Sequence, residues 1–248
     1  STLCRNLLAA CAIAAGFTAV AHAQWNPAAG QWGKTDARDL RVMTWNILDS
    51  ICSTELKVEG SNGWTGLART VAMLKPDVLI LQECGDNSGN GTGSTVDTVA
   101  DLTTTANLFV RGGTDPFRGG TVTAYVQKYA PSFDLPYVYV ATSNDAFNRN
   151  ILLSRYPLAD LTGDGKAAID SAIIFPDLYA PGTSFGIRGF IFAEINLPDE
   201  SYRGNLVAGT GHLRSGGTST DLAERLAAGK NIAYYIDYMF NGAGGSTP

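Results

Sequence analysis

The strongest constraint on the fold is a short apolar run at residues 76–83, with the sequence PDVLILQE. Its four central residues, 78–81, are all apolar, and so short a run after a proline is typical of a strand buried on both faces. Glu83 stands at the carboxyl end of this run, where open α/β sheets usually bind their ligands. Carboxylates are rarely buried without a partner. Glu83 therefore either reaches solvent or belongs to a site with cations or hydrogen-bond donors.

A second strand and a helix precede this run. Residues 40–47 (LRVMTWNI) alternate between two faces, which predicts a strand. Residues 64–75 carry apolar residues at helical spacing and are followed by a proline, which predicts a helix. A strand, a helix and a strand in this order form a βαβ unit with parallel strands. Asn46 and Glu83, near the carboxyl ends of the two strands, are therefore expected at the same edge of one sheet.

The chain has 248 residues, 45% of them hydrophobic, which suits one globular domain with a sizeable core. Residues 1–23 are typical of a secretory signal peptide, because Arg5 precedes an apolar run and residues 21–23 (AHA) form an A-x-A cleavage site. The run is short for a bilayer span. We predict a signal peptide at 1–23, one domain at 24–248 without a transmembrane helix, and a secreted or periplasmic protein.

The domain at 24–248 contains two cysteines, Cys52 and Cys84. In an oxidising compartment a disulfide between them would tie the loop after the first strand to the residue following Glu83. Two free thiols are the alternative, and the sequence leaves both open.

The charge of the chain limits its partners. Without Arg5, 17 basic residues stand against 23 acidic ones, a formal net charge of −6. Such a chain lacks the broad basic surface of a sequence-independent DNA binder. A local phosphate site remains compatible with this charge, and nothing indicates an obligate protein partner.

The remaining predicted elements are strands at 137–141, 150–153, 188–197 and 205–213, and helices at 96–109, 121–129 and 220–240. The last two strands are expected to form an antiparallel pair. The last helix is amphipathic, with Leu222 and Leu226 on its apolar side. Residues 84–136 are either a substrate-recognition insert or solvent-facing loops.

Four polar residues stand at the ends of predicted strands: Asn46, Glu83, Arg188 and His212. His212 is the single histidine of 24–248. An amide, a carboxylate, a guanidinium and an imidazole could bind a divalent metal and a phosphate. The metal would be hard and oxygen-preferring, because the domain lacks the histidine and cysteine cluster that zinc prefers. Each residue also has an ordinary interpretation: Asn46 could cap a turn, Arg188 could be a surface charge, and His212 could be a hydrogen-bonded histidine.

Four motifs occur in a characteristic order: RVMTWNIL at 41–48, PDVLILQE at 76–83, RNILLSRYPL at 149–158 and GHLRSG at 211–216. In them the chain resembles the endonuclease/exonuclease/phosphatase superfamily of deoxyribonuclease-like enzymes, bacterial sphingomyelinases and inositol-polyphosphate phosphatases. The match covers about 40–240. It implies an α/β fold, a four-layer α/β/β/α sandwich of two facing mixed β-sheets flanked by helices, incomplete at the C-terminus.

The resemblance also implies roles for single residues. Glu83 would be the principal ligand of Mg²⁺, with Mn²⁺ as the alternative, and Asn46 would help hold the water shell of the metal or the phosphate. His212 would hydrogen-bond a phosphate oxygen, and Arg188 and Asn150 are candidate substrate contacts. The implied reaction is in-line attack of water on phosphorus, with the metal and the donors neutralising the developing charge.

Two motifs of the family are missing from the sequence. A GDxN motif, whose aspartate orients the attacking water, and a terminal aspartate-histidine pair do not occur. The sequence is therefore expected to be a fragment with little or no activity of its own.

Two further motifs compete with this interpretation. Residues 182–186 (GTSFG) fit the G-x-S-x-G elbow of serine hydrolases, but a loop precedes them and a strand follows, contrary to what the elbow requires. Residues 160–165 (DLTGDG) resemble the start of a calcium loop. Thr162 and Ser171 replace two of its ligands, so a turn is favoured over a structural Ca²⁺ near Asp160 and Asp164.

The sequence thus predicts a secreted or periplasmic Mg²⁺-dependent phosphoester hydrolase, either a phosphodiesterase or nuclease, or a phosphatase. Its substrate would be a nucleic acid, a phospholipid headgroup or a small phosphate ester. The competing hypothesis is a non-catalytic module that binds a partner in the cell envelope with the same fold.

Overall fold

The structure is a computed structural model, and it describes residues 34, 36–48, 50–58, 63–85, 96–142, 144, 148–159, 168–170 and 187–241. In chain order its elements are β1 (Val42–Asn46), α1 (Gly63–Leu74), β2 (Val78–Cys84), α2 (Val99–Arg111), β3 (Gly113–Thr114), β4 (Thr121–Val122), α3 (Tyr125–Tyr129), β5 (Tyr137–Val140), β6 (Arg149–Ser154), β7 (Leu158–Ala159), β8 (Ala168–Asp170), β9 (Ile187–Ile195), β10 (Leu206–Leu213) and α4 (Ser219–Asn241).

The first sheet has the strand order β1-β2-β6-β5. β1 and β2 run parallel, with Val42 opposite Val78 and Asn46 opposite Gln82. Because α1 connects them, the predicted βαβ unit is confirmed. β6 is antiparallel to both β2 and β5, so the sheet is mixed.

The second sheet is built around β9. β10 and β7 flank it in the order β10-β9-β7, and β8 also pairs with β9. All the described pairings in this sheet are antiparallel. The predicted antiparallel pair of β9 and β10 is confirmed, and their alternating side chains bring one face of this sheet onto the first.

The central strand β2 is buried on both faces, as predicted. Leu79 and Leu81, 0% and 2% exposed, belong to a core shared with α1, α2 and α3. Val78 and Ile80, 0% and 4% exposed, belong to a second core shared with β9 and β10. Each such side chain contributes about 1.5–3 kcal/mol when fully buried. β2 therefore holds the helical layer and both sheets together.

The helical layer is closed by aromatic packing and by a capped helix start. Trp64 of α1 and Phe109 of α2 meet edge to face with their ring centroids 5.2 Å apart. Thr98 caps α2: its hydroxyl accepts from the Asp101 amide, and the Asp101 side chain accepts in return from the Thr98 amide. This reciprocal box satisfies two amides that a helix start otherwise leaves without partners.

Three layers follow from the described packing: the helices α1 to α3, the first sheet and the second sheet. The predicted α/β class is confirmed. In the described part of the chain, no helix combines the length and the apolarity that crossing a bilayer requires.

Two elements differ from their predictions. The helix expected at 121–129 begins only at Tyr125, because Thr121 and Val122 pair with β3. On α4, Leu222 and Leu226 are 55% and 61% exposed, so the apolar side predicted for this helix is not buried at these two residues. Among the α4 side chains that the structure describes, the buried ones are Asp221 and Ala228. Each residue step turns a helix by about 100°, which carries Leu222 away from the side of Asp221.

Candidate functional site

A β-bulge redirects Glu83. The pairing of β2 with β6 shifts register between Leu81 and Cys84, so that Gln82 and Glu83 together face Asn150. Strict alternation would place Glu83 on the helical face with Leu81. The bulge and a left-handed backbone at Glu83 (φ 57°) turn its side chain towards β10 instead. A non-glycine residue in this conformation is strained and often marks a functional position.

Glu83 meets His212 across the two sheets. Nε2 of His212 lies 3.1 Å from Oε1 of Glu83, and the two side chains are 14% and 20% exposed. At this distance an Nε2–H group donates a hydrogen bond to the carboxylate. A second register shift, between Thr210 and His212 in β10, accompanies the contact. Two bulges on facing strands thus bring together an acid and an imidazole that lie far apart in the sequence.

Gln82, the other residue of the bulge, connects the strands around Glu83. Its Nε2 donates to the hydroxyl of Thr44 on β1 at 2.9 Å and to the hydroxyl of Thr210 on β10 at 3.0 Å. One amide therefore ties both sheets together next to Glu83. The sequence analysis assigned no role to Thr44 or Thr210. The sequence feature that could have identified Gln82 is its spacing from Val78 and Ile80. Strand alternation places it on the same face as these residues, which is the face that meets the second sheet.

Asn46 lies beside Gln82 in the parallel register. Its side chain is exposed, and its Oδ1 accepts a hydrogen bond from the amide of Leu48 at 3.1 Å. The next amide, of Ile47, donates to the Gln82 carbonyl at 3.1 Å. Asn46 thus forms the turn expected from its ordinary interpretation and still lies at the edge of the sheet where Glu83 lies.

Arg188 and Asn150 are placed by their strands. The backbone of Arg188 pairs directly with His212, while its side chain lies outside the described residues. Asn150 is 1% exposed and lies opposite the bulge. Its carbonyl accepts from the Ala141 amide at 2.9 Å. Both residues are therefore near the Glu83–His212 pair along their strands, and their contact with a substrate stays a prediction.

The two cysteines lie next to this edge. Cys52 and Cys84 are both fully buried and are thiols in the structure. The amide of Gly85 donates to the Ile51 carbonyl at 2.8 Å, which holds the loop after β1 against the end of β2. Asn148, which the sequence analysis did not single out, donates from Nδ2 to the Gly85 carbonyl at 3.3 Å. These contacts fix the backbone that follows Glu83.

Several predictions fall on residues outside the described part of the chain. These are the signal peptide at 1–23, the calcium loop with Asp160 and Asp164, and the elbow at 182–186.

No protein-family model matches the chain, and no curated protein matches its sequence. Solved structures do show similarity, over 80% of the chain. The fold resembles that of endonuclease/exonuclease/phosphatase proteins.

Three of these structures illustrate the similarity. The endonuclease/exonuclease/phosphatase from Beutenbergia cavernae DSM 12333 is 18% identical, with a TM-score of 0.47. Humanized D. rerio TDP2 with 14 mutations is 17% identical, with a TM-score of 0.39. The endonuclease/exonuclease/phosphatase family protein from Leptotrichia buccalis C-1013-b is 16% identical, with a TM-score of 0.39. The chain spans 44%, 58% and 62% of their respective lengths.

The donor set at Glu83 suits a hydrated hard cation. Mg²⁺ is usually held by one or two carboxylates together with water and substrate phosphate, rather than by a closed protein cage. Glu83 supplies a half-buried carboxylate, and the amide of Asn46 lies at the same edge of the sheet. Among the described residues no cluster of three His, Cys, Asp or Glu side chains could hold a metal. The carboxylate of Glu83 and the amide of Asn46 are oxygen donors, which fit Mg²⁺ or Mn²⁺ better than zinc, whose ligands are mainly histidine and cysteine.

Proposed function

We propose that the protein hydrolyses phosphoesters with a divalent metal ion bound at Glu83. One observation carries the proposal: a strained bulge in β2 directs Glu83 out of the helical core and onto His212, 3.1 Å away. A purely structural glutamate at a strand end would reach solvent without this distortion. The carboxyl end of a buried strand is also where α/β sheets keep their ligand sites.

The proposed roles follow from the chemistry of each group. A bound Mg²⁺ or Mn²⁺ would supply positive charge to a phosphate oxygen and lower the pKa of bound water. Glu83 holds the cation, and Asn46 contributes an amide at the same edge. His212 shares a hydrogen bond with Glu83, and in the proposed reaction its imidazole would donate to a phosphate oxygen as charge develops there. Gln82 keeps both strands in position through Thr44 and Thr210.

The proposed substrate class is a phosphoester, with nucleic acid, a phospholipid headgroup and a small phosphate ester all open. The formal net charge of the chain, −5 at pH 7, disfavours tight, sequence-independent binding of long DNA. Turnover by the 248-residue chain alone is expected to be slow, because its sequence contains neither the GDxN motif, whose aspartate would orient the attacking water, nor the aspartate-histidine pair.

The metal proposal is tested by substituting the carboxylate. Glu83→Gln keeps the size and hydrogen-bonding capacity of the side chain but removes its charge. We expect Mn²⁺ affinity, measured by isothermal titration calorimetry, to fall about tenfold or more, because a charged ligand to a cation is lost. Any Mg²⁺-dependent hydrolysis of bis(p-nitrophenyl) phosphate should fall with it.

Glu200→Gln is the matched control, since Glu200 is exposed in the turn between β9 and β10. It should bind Mn²⁺ as the unaltered protein does. Equal metal affinity in Glu83→Gln and the unaltered protein would remove Glu83 from the site. Metal binding at Glu83 without hydrolysis of any phosphoester would favour the non-catalytic binding module.

We also propose that the protein is exported to the periplasm or the medium. The support is the apolar run that follows Arg5 and the A-x-A site at 21–23. Expressed with its own leader in a bacterial host, the exported form should begin at Gln24 by N-terminal mass spectrometry. A cytosolic product that retains residues 1–23 would contradict export.

A further inference from the structure

A basic pocket lies at the opposite end of the first sheet from Glu83. It has a volume of about 360 Å³, within the range of small-molecule sites. Its lining residues are Lys34, Ala37, Arg41, Lys75, Ser132, Phe133, Asp134 and Arg155. Four of these eight side chains are cationic, in a chain whose formal net charge is −5. The pocket therefore concentrates positive charge against the overall balance of the molecule.

Strand direction explains why these residues meet. Arg41 precedes β1, Lys75 precedes β2, and Arg155 follows β6, which is antiparallel to β2. All three therefore lie at the amino end of β2, whereas Glu83 lies near its carboxyl end. The six residue steps from Asp77 to Glu83 span about 20 Å at roughly 3.3 Å each. The pocket and the candidate active site are separate.

A buried carboxylate beneath the pocket organises two of the cations. Asp77 is 1% exposed, and its Oδ2 accepts a hydrogen bond from the Arg41 amide at 2.8 Å. Its two oxygens also contact Nζ of Lys34 at 2.5 Å and Nη1 of Arg155 at 3.5 Å. The guanidinium of Arg41 donates to the Leu74 carbonyl. Lys34 and Arg41 are thus held in place by the protein before any ligand arrives.

The charges of the pocket do not balance. The one acidic residue in its lining, Asp134, is itself paired with Arg111 at 2.9 Å. The four basic side chains of the lining therefore face a single acidic side chain in that lining. Like charges held close together destabilise one another unless an anion lies between them.

Lys75 adds a second unusual feature. It ends α1 with a left-handed backbone (φ 47°), a position that glycine or asparagine normally occupies. Lysine adopts this conformation only at an energetic cost. Lys75, directly after the last residue of α1, is exposed and lines the pocket.

We propose that this pocket binds a small phosphorylated molecule, with its phosphate on the basic residues and its remainder against Phe133 and Ala37. The volume exceeds what a bare phosphate ion fills, and Phe133 provides an apolar wall that such an ion does not use. Ser132 offers a hydroxyl in the same lining. The proposal goes beyond the hydrolysis proposed at Glu83 and does not depend on it.

The test measures anion binding in EDTA, so that no metal contributes at Glu83. Inorganic phosphate, pyrophosphate and AMP are titrated by calorimetry at constant ionic strength, with adenosine as the uncharged counterpart of AMP. We expect AMP and pyrophosphate to bind and adenosine not to bind. The double variant Lys75→Gln/Arg155→Gln should bind AMP at least about tenfold more weakly, because two charge-assisted hydrogen bonds are lost. The single variant Lys75→Gln, altered at one exposed side chain, should show an intermediate loss.

Two controls decide where the anion binds. Arg203→Gln/Lys230→Gln makes the same charge change at two exposed positions on the turn before β10 and on α4. His212→Gln alters the candidate active site. Both should bind AMP as the unaltered protein does. Equal weakening in the Arg203/Lys230 variant, loss of binding in His212→Gln, or absence of binding by all three anions would each overturn the proposal.

Discussion

At the scale of single residues, Glu83 and Lys57 show that a charged side chain shielded from solvent depends on a fixed partner. Glu83 keeps its partner through a strained backbone. Lys57 lies in the loop after β1, with a side chain only 1% exposed. Its Nζ contacts Oδ2 of Asp115 at 3.1 Å and the carbonyl of Ser53 at 2.6 Å, and it lies 5.9 Å from the ring centroid of Trp64. A charge so enclosed is stable only because its partners are fixed.

Lys57→Met should therefore destabilise the protein strongly. The substitution keeps an unbranched side chain, one atom shorter, but leaves the Asp115 carboxylate, 4% exposed, buried without its cation. Removing one partner of a buried ion pair typically lowers the free energy of unfolding by about 3–5 kcal/mol. Urea unfolding followed by circular dichroism measures the change.

Lys230→Met, at an exposed position on α4, is the control and should stay within about 0.5 kcal/mol of the unaltered protein. Adding Asp115→Asn to Lys57→Met should recover part of the loss, since the unpaired charge is then gone. A loss below about 1 kcal/mol in Lys57→Met would show that the ion pair is not important for stability.

At the scale of elements, the start of α4 repeats the capping box of α2. The Thr218 hydroxyl accepts from the Asp221 amide at 3.2 Å, and Oδ2 of Asp221 accepts from the Thr218 amide at 3.0 Å. Gly216 closes the turn with φ 103°, and a Cβ atom there would lie 2.8 Å from Cγ of Asp221. Glycine is therefore required where the loop after His212 turns into the helix.

This cap makes stability depend on pH. Hydrogen bonds from the Thr218 hydroxyl, the Arg214 guanidinium and the Thr218 amide lower the pKa of Asp221 from 3.8 to about 2. Because the folded pKa lies below the unfolded one, the stabilisation is complete above pH 3.8 and is lost as the pH falls towards 2. The difference in Tm between the unaltered protein and Asp221→Asn should therefore be largest near pH 5 and shrink towards pH 2.

Asp199→Asn, at an exposed turn, is the control and should show no such pH-dependent difference. A difference between the unaltered protein and Asp221→Asn that stays constant from pH 5 to pH 2 would contradict the role given to the carboxylate.

At the scale of the whole molecule, the two sheets place two sites at opposite ends of β2. At its carboxyl end, Gln82 ties β1 to β10, and Glu83 meets His212. At its amino end, Asp77 supports the basic pocket. One buried strand thus separates a site suited to a cation from a site suited to an anion. A ligand at one site need not compete with a ligand at the other.

Local patterns were sufficient for much of the fold. The apolar run of β2, the alternation of β1 and the helical spacing of α1 predicted the βαβ unit, because these periodicities are set by neighbouring residues. They also placed Asn46 and Glu83 at one edge of the sheet. Such patterns failed at α3, where the strand β4 replaced the start of the expected helix, and they did not predict the exposure of Leu222 and Leu226, which depends on how α4 packs.

By itself, the sequence determined that a glutamate follows a doubly buried strand and that a histidine ends a later one. Only the tertiary structure decided that they meet, because a bulge reverses the side that alternation gives to Glu83. The basic pocket could likewise not be predicted from the sequence, because its residues are scattered from Lys34 to Arg155. Contacts between sheets and at strand ends depend on the direction and register of distant strands, which no local periodicity encodes.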